Sequence, residues 1–327
     1  MRYHLTAAIV GTGFMGKQYA EILYELVENI ILCSTDEETG KALASKYGCK
    51  FYSDYDQMLQ NEAIDFVNIC LPTHLHCSFS VKAMEKGISV LCEKPFAASE
   101  DEALQMIRAS EENNVLFMIA HCLRFSKEYE YLRRCIADGR FGSLLSFNSY
   151  RENPTPVWSV GNWLFNTAIS GGIVRDLHVH DTDMIVGLLG APERVYTMGS
   201  EVVCRTVYNY GNGVAVSSSA SWRSIDNIHT ENGFDALFEK AFVKNVSGTI
   251  MVHTSTDKFE PLANEEFSEF FEDNFYANEL KYFCHCLVNN EKPLLCPPSD
   301  SYKTIAVSCA ESRSLAKRSE ELISISI

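Results

Sequence analysis

The sequence predicts an α/β protein: an N-terminal doubly wound parallel sheet, then an α+β region whose open sheet is mostly antiparallel. Three observations lead there. The first 120 residues alternate short apolar runs with amphipathic stretches, as repeated β-α-β units do. A glycine-rich segment, Gly11-Thr12-Gly13-Phe14-Met15-Gly16, lies between the first apolar run and the first helical stretch. Near residue 123 the pattern changes to strand-like runs with turn chemistry between them.

The elements follow in order. Residues 5–10 form an apolar run suited to a strand buried on both faces. A helix follows, with Ala20, Leu23, Tyr24 and Val27 near helical spacing. Strands are expected at 30–33, 66–71, 88–92 and 115–120, and Pro72 ends the second of these. Helices are expected at 41–47 and 81–86, stopped by Gly48 and Gly87, and at 99–113 with Ser99 as N-cap. Beyond residue 123 come a helix at 129–138 and strands at 144–150, 195–198, 202–208, 214–222 and 241–246. Asn209-Tyr210-Gly211-Asn212-Gly213 reads as a hairpin turn, and residues 299–317 as a final helix. Two domains are expected at this length, 1–122 and 123–327, with a C-terminal helix that can pack back on the first.

Composition narrows the function. The net charge of −15 repels phosphate backbones and anionic lipid, so nucleic acid and membrane are excluded as expected partners. Twelve cysteines in 327 residues are too few for a disulfide scaffold, and no Cys-x-x-Cys occurs. They read as reduced core thiols of a cytoplasmic protein, and no metal site is expected. The N-terminal apolar run is broken by glycines, and no later run is long enough to span a bilayer.

The glycine spacing G-x-G-x-x-G matches a dinucleotide cradle of the Rossmann type. Gly11 permits the tight turn, Gly13 lets backbone approach a pyrophosphate, and Gly16 lets helix and strand pack closely. Phe14 and Met15 open the helix whose free N–H groups meet the anion. About 20 residues on, a carboxylate normally binds the adenosine ribose; here that place falls to Ser34, beside Thr35. A hydroxyl does not exclude a 2′-phosphate, yet no arginine is present to receive one, and Asp36, Glu37 and Glu38 follow. NAD is therefore favoured, with NADP the alternative.

Two later strands end in polar clusters, Leu71-Pro72-Thr73-His74-Leu75-His76 and Glu93-Lys94-Pro95. Ligands of doubly wound sheets lie beyond the carboxyl ends of the strands, so both clusters are expected at the cofactor. In the second half, Gly171-Gly172 lead into a helix to about Leu189. On that helix Asp176, His180 and Asp183 stand at i, i+4 and i+7 and share one face. A carboxylate one turn from a histidine orients the ring and stabilises its charged form. The plain alternative is a capped helix with a satisfied polar patch, and a carboxylate–histidine metal site is a third reading for which the sequence supplies no other obvious ligands.

Together these residues resemble the Gfo/Idh/MocA family of NAD(P)-dependent oxidoreductases, which includes inositol dehydrogenases and glucose–fructose oxidoreductase. The resemblance runs through Gly11 to Gly16, Pro72-Thr73 with His76, Glu93-Lys94-Pro95, Arg124-Phe125, Trp163, Gly171-Gly172, Asp176-x-x-x-His180-x-x-Asp183 and residues 279–283. It implies that residues 123–327 bind substrate and form a homodimer or homotetramer through their open sheet. It implies a cofactor site of Gly11, Gly13, Phe14, Met15, Gly16, Ser34, Thr35, Leu71, Pro72, Thr73, His76, Glu93, Lys94 and Arg124. It further implies catalysis by Lys94, Asp176 and His180, with Trp163 beside a sugar, cyclitol or related polyol. His178, where the family often has a small residue, sits near the pocket mouth or packs beneath the helix. Trp158 and Tyr150 are further aromatic candidates for the pocket. Two rival readings stand beside the dehydrogenase: a non-catalytic dinucleotide-binding regulator, and an enzyme that uses retained NAD transiently for glycoside cleavage.

Overall fold

The computed structural model describes residues 2–157, 160–223, 229–255, 260–261 and 267–325. The chain divides into two compact units. Unit one comprises Met1–Cys122, Trp158–Trp163 and Tyr276–Tyr302; unit two comprises Leu123–Val157, Leu164–Phe275 and Lys303–Ile327.

Unit one is built on six parallel strands: β1 (Tyr3–Val10), β2 (Val27–Cys33), β3 (Lys50–Tyr52), β4 (Phe66–Ile69), β5 (Ser89–Glu93) and β6 (Phe117–Ala120). Their order is β3-β2-β1-β4-β5-β6, so the direction of winding reverses between β1 and β4. Every residue of β4, β5 and β6 is buried, which is why these strands read as continuous apolar runs. The connecting helices are α1 (Phe14–Leu26), α2 (Glu37–Tyr47), α3 (Tyr55–Asn61), α4 (His76–Met84) and α5 (Glu100–Glu112). Their caps are those the residue types dictate. Asp36, Asp54 and Ser99 each accept a hydrogen bond from the backbone N–H three residues on, and Gly48 closes α2 in the left-handed conformation.

Unit two contains α6 (Lys127–Asp138), the short α7 (Thr167–Ser170) and α8 (Val179–Leu189). Its strands are β7 (Leu144–Pro154), β8 (Arg194–Gly199), β9 (Val203–Asn209), β10 (Ala215–Arg223), β11 (Glu231–Phe238), β12 (Ala241–Val246), β13 (Thr249–Thr254), β14 (Glu260–Pro261) and β15 (Glu321–Leu322). They form one sheet in the order β14-β13-β12-β11-β7-β10-β9-β8-β15. All its neighbours run antiparallel except β7 and β10. Burial alternates along β9 and β10, so one face is core and the other is open. Phe147, Tyr208, Trp222 and Phe234 point to the buried face, while Leu145, Met198, Val203, Val207 and Leu237 are exposed.

Strands β11 and β13 lie where the sequence reading placed none. In β11 the polar opening Glu231-Asn232-Gly233 hides the alternation that Phe234, Ala236 and Phe238 carry into the core. Helix α9 (Phe275–Asn289) belongs to unit one from Tyr276 onward, where the Phe283 ring meets Phe66 edge-on and Tyr3 donates to the Lys281 carbonyl. Helix α10 (Pro298–Lys317) gives its first turn to unit one and the rest to unit two. All twelve cysteines are free, nine buried and three half-buried. Among the described residues no helix is long and apolar enough to cross a membrane, and no cluster of three metal-ligating side chains occurs.

Candidate active site

The glycine loop leaves β1 with Gly11, whose N–H donates to the Cys33 carbonyl of β2 at 2.8 Å. Gly11 has φ +100°, and a Cβ there would stand 2.4 Å from the Cys70 carbonyl oxygen just beyond β4. Gly16 meets the same loop from inside α1: its Cβ would lie 1.9 Å from the Gly11 carbonyl. Gly13 differs, since a Cβ there would meet nothing within 4 Å. It precedes α1 without any side-chain cap, and the first turn of α1 carries no acidic residue. The helix therefore keeps N–H donors and a positive dipole end at an open place, which suits an anion.

Ser34 lies just past β2. Its Oγ accepts hydrogen bonds from the Thr12 hydroxyl at 2.9 Å and from the Asp36 N–H at 3.2 Å, so its own hydrogen remains to be donated. The Asp36 carboxylate accepts from the Thr39 N–H, and hydrogen bonds from the Thr39 side chain and then its backbone hold its pKa below the usual range. Glu37 pairs with Lys41. Two of the three acidic groups near Ser34 are thus engaged by α2 itself. Thr12 escaped the sequence reading because it occupies a variable position of the glycine spacing; its burial and its bond to Ser34 mark it as part of the loop's framework.

Beyond β4, Thr73 is buried and its hydroxyl has no protein partner among the described residues. Leu71 and Pro72 beside it are half-buried. A buried hydroxyl without a partner is unfavourable unless a ligand supplies one, so with the open Gly13 position it fits a bound dinucleotide. Beyond β5, Lys94 is half-buried and joined to Pro95 by a cis peptide bond; its N–H donates to the buried Glu93 carboxylate at 3.0 Å. His76 has no exposed surface. Its Nδ1 lies 2.9 Å from the Pro95 carbonyl oxygen and its Nε2 lies 2.8 Å from that of Leu71. Both ring nitrogens thus face backbone carbonyls. Burial, aided by the Lys94 ammonium, pushes its pKa down to about 4 against the pull of those carbonyls, so the ring is neutral near pH 7. From the buried face of α1, Tyr19 donates to the Glu279 carboxylate of α9, and burial followed by Glu279 and Glu93 raises its pKa far above the usual value.

In unit two, a π-helical turn at Val174–His178 precedes α8. Ile173, Val174 and Leu177 pack on Cys204 of β9 and on Ala220 and Trp222 of β10. The polar side chains beyond them are mostly claimed by the core. His178 is buried beneath the helix, with Nε2 3.1 Å from both the Thr206 and Tyr208 hydroxyls and 3.6 Å from the Glu311 carboxylate. Of its two expected positions, the one beneath the helix is therefore correct. Burial opposes its charge, yet the Cys204 sulfur and the Glu311 carboxylate hold its pKa well above the usual value. Thr182 donates to Glu311, Asp181 accepts from Arg151 at 2.7 Å, and Asp183 accepts from Arg124 through two bonds of 2.8 Å and from Thr304. Arg175, Asp176 and His180 of this segment are half-buried.

Asp183 therefore does not share the more open side with Asp176 and His180, as the i, i+7 spacing suggested. It is drawn inward by Arg124, which packs over Gly187, where a Cβ would come within 3.5 Å of the guanidinium carbon. That pair also engages the Arg124 guanidinium inside unit two. Lys94 belongs to unit one, and Asp176 and His180 to unit two. Trp163 is half-buried in unit one; Tyr150 is half-buried on β7, against Gly233; Trp158 lies outside the described residues. Phe14 and Thr35 are exposed, and Met15 is half-buried.

Comparison with known proteins agrees with this architecture. The chain is 32% identical over 196 residues to 2,7-anhydro-N-acetylneuraminate hydratase of Mediterraneibacter gnavus, covering 60% of this chain and 52% of that protein. It therefore spans about half the length of the first relatives it matches. It is 25% identical to the myo-inositol 2-dehydrogenase of Thermotoga maritima, over 96% of this chain and 97% of that one. Its fold is that of levoglucosan dehydrogenase solved with NADH and levoglucosan, with TM-score 0.86, 20% identity, and 98% and 99% of the two chains covered. Residues 5–121 match the family model for the oxidoreductase family with an NAD-binding Rossmann fold, and residues 129–242 match the GFO/IDH/MocA C-terminal domain. By these two matches, which divide the chain much as its glycine loop and its second sheet do, the protein belongs to the GFO/IDH/MocA oxidoreductase family.

Proposed function

We propose that the protein is an NAD(P)-dependent dehydrogenase that oxidises a hydroxyl of a sugar, cyclitol or related polyol. The observation that carries this reading is the open anion cradle at Gly13, with the orphan Thr73 hydroxyl beyond β4. The bound dinucleotide supplies the hydride acceptor. Gly11, Gly13 and Gly16 with the first turn of α1 hold its pyrophosphate, and Ser34 faces its ribose. Ser34 lacks the charge that would repel a 2′-phosphate, so NAD and NADP are both substrates for this cradle, with NAD favoured.

The remaining roles belong to side chains of this protein. Lys94, as an ammonium, stabilises the alkoxide character that develops as the hydroxyl loses its proton. A ring nitrogen of His180 takes that proton, and Asp176 orients the ring and stabilises its imidazolium. Trp163 offers an apolar face to the carbon ring of the substrate. The exposed apolar face of the second sheet is where a second copy would pack into a dimer or tetramer. General acid–base catalysis contributes about 100- to 10,000-fold. Lys94→Met and His180→Ala are expected to lower turnover by at least that order while NADH binding survives. Unchanged turnover in either variant removes that residue from the mechanism.

A second reading is favoured by one specific observation. The 32% identical relative is named a hydratase, not a dehydrogenase. In this reading a dinucleotide retained by the Gly11–Gly16 loop would supply a hydride acceptor and donor in turn, and product would form with no net change in free NADH. Net reduction of added NAD in step with product excludes it.

A further inference from the structure

We propose that His76 is the positioning residue of the nicotinamide half of the cleft: one buried ring fixes both the turn after β4 and the turn after β5, and so sets where Thr73 and Lys94 stand. The inference rests on the cofactor reading above. Strands β4 and β5 are paired from Phe66↔Ser89 to Ile69↔Cys92, and their ladder stops there. The residues assigned to the cofactor lie just past that end: Leu71, Pro72 and Thr73 on one chain segment, Lys94 on the other. His76, the first residue of α4, reaches back over its own turn to the Leu71 carbonyl and across to the Pro95 carbonyl. One of these carbonyls precedes Pro72-Thr73; the other belongs to the residue after Lys94. A neutral imidazole has a single N–H, so each of its two tautomers donates to one of the two carbonyls, Nδ1–H to Pro95 or Nε2–H to Leu71. The ring has no exposed surface, so its N–H is satisfied by these carbonyls rather than by bulk water.

In a sheet of order 3-2-1-4-5-6, the adenosine half of a dinucleotide lies over β1–β3 and the nicotinamide half over β4–β6. A side chain that sets only the β4 and β5 turns therefore affects one half of the ligand. The test compares NADH with ADP-ribose, which lacks the nicotinamide. His76→Phe fills the space without a donor, and His76→Gln keeps a donor. Dissociation constants are measured by fluorescence and calorimetry, with circular dichroism to confirm folding.

His76→Phe is expected to weaken NADH at least tenfold and ADP-ribose by no more than about twofold, with His76→Gln recovering NADH to within about threefold of wild type. If the phenylalanine variant does not fold, the glutamine variant and His76→Asn carry the same comparison, the shorter amide losing NADH selectively. Parallel loss of both ligands would mean that His76 merely supports the unit, and unchanged NADH affinity would mean that it positions nothing; either overturns the proposal. Wild-type protein that binds neither ligand overturns the cofactor reading itself, and this proposal with it.

Discussion

Replacing Gly13 by alanine separates what the fold needs from what the ligand needs. Gly13 has φ −70° and ψ −160°, an extended backbone open to alanine, and the new methyl would meet no heavy atom within 4 Å. Alanine caps a helix less well than glycine, while the unfolded chain loses entropy, so the two effects offset and stability should change by less than about 1 kcal/mol. The methyl nevertheless projects at the N-terminus of α1, where a pyrophosphate would lie. Losing one charge-assisted hydrogen bond there costs about 1.5–3 kcal/mol. At 1.4 kcal/mol per factor of ten, NADH should bind roughly ten- to a hundredfold more weakly.

Gly16→Ala is the contrasting variant. Its methyl would stand 1.9 Å from the Gly11 carbonyl, so backbone must move, and overpacking of this kind costs about 1–3 kcal/mol of stability. The assay is NADH fluorescence titration beside thermal unfolding of the three proteins. A folded Gly13→Ala protein that binds NADH as tightly as wild type would falsify the cradle.

Three further outcomes follow from the same structure. Ser34→Asp places a carboxylate among Thr12 and the Asp36 N–H and should weaken NADPH at least tenfold while sparing NADH; equal losses for both nucleotides would show that residue 34 does not face the 2′ position. Asp183→Asn leaves the nearly buried Arg124 without its counter-charge and should destabilise unit two by about 3–5 kcal/mol in urea unfolding, and a loss under 1 kcal/mol would show that the pair is not structural. His76 and His178 should act oppositely with pH. The His76 pKa of about 4 lies below that of a free histidine, so the unfolded chain binds this proton first and stability falls by roughly 3 kcal/mol as pH drops from about 6.5 to 4. The His178 pKa is raised, so its contribution is complete below about pH 6.5 and is lost as pH rises through the folded value. Stability of wild type, His76→Gln and Glu311→Gln measured across pH 4–9 checks both signs, and parallel curves would refute them.

Much of unit one was legible because its signals are local. Buried parallel strands read as apolar runs, and Gly48, Ser99 and Pro72 mark boundaries that chain chemistry imposes. Gly11 and Gly16 are required by contacts of one turn with its neighbours, so spacing alone pointed to them. The remainder depends on distant partners. Tyr19 meets Glu279 260 residues away, and Asp183 meets Arg124 and Thr304 across 59 and 121 residues. Helical spacing put Asp183 with His180, but no periodicity says which acid an arginine will claim. The π turn at Val174–His178 has no residue signature either, since Leu177 and His178 are buried there by the sheet beneath them. His76 stands in a legible motif, yet only the fold brings its ring to the Leu71 and Pro95 carbonyls.

The central claim is tested most directly by following reduced nucleotide at 340 nm while the purified protein is offered NAD or NADP with a panel of inositols, aldoses and anhydro-sugars. At least one member is expected to be oxidised, with reduced nucleotide formed mole for mole and the signal lost in Lys94→Met and His180→Ala. Nucleotide binding without consumption of any member of the panel would contradict it.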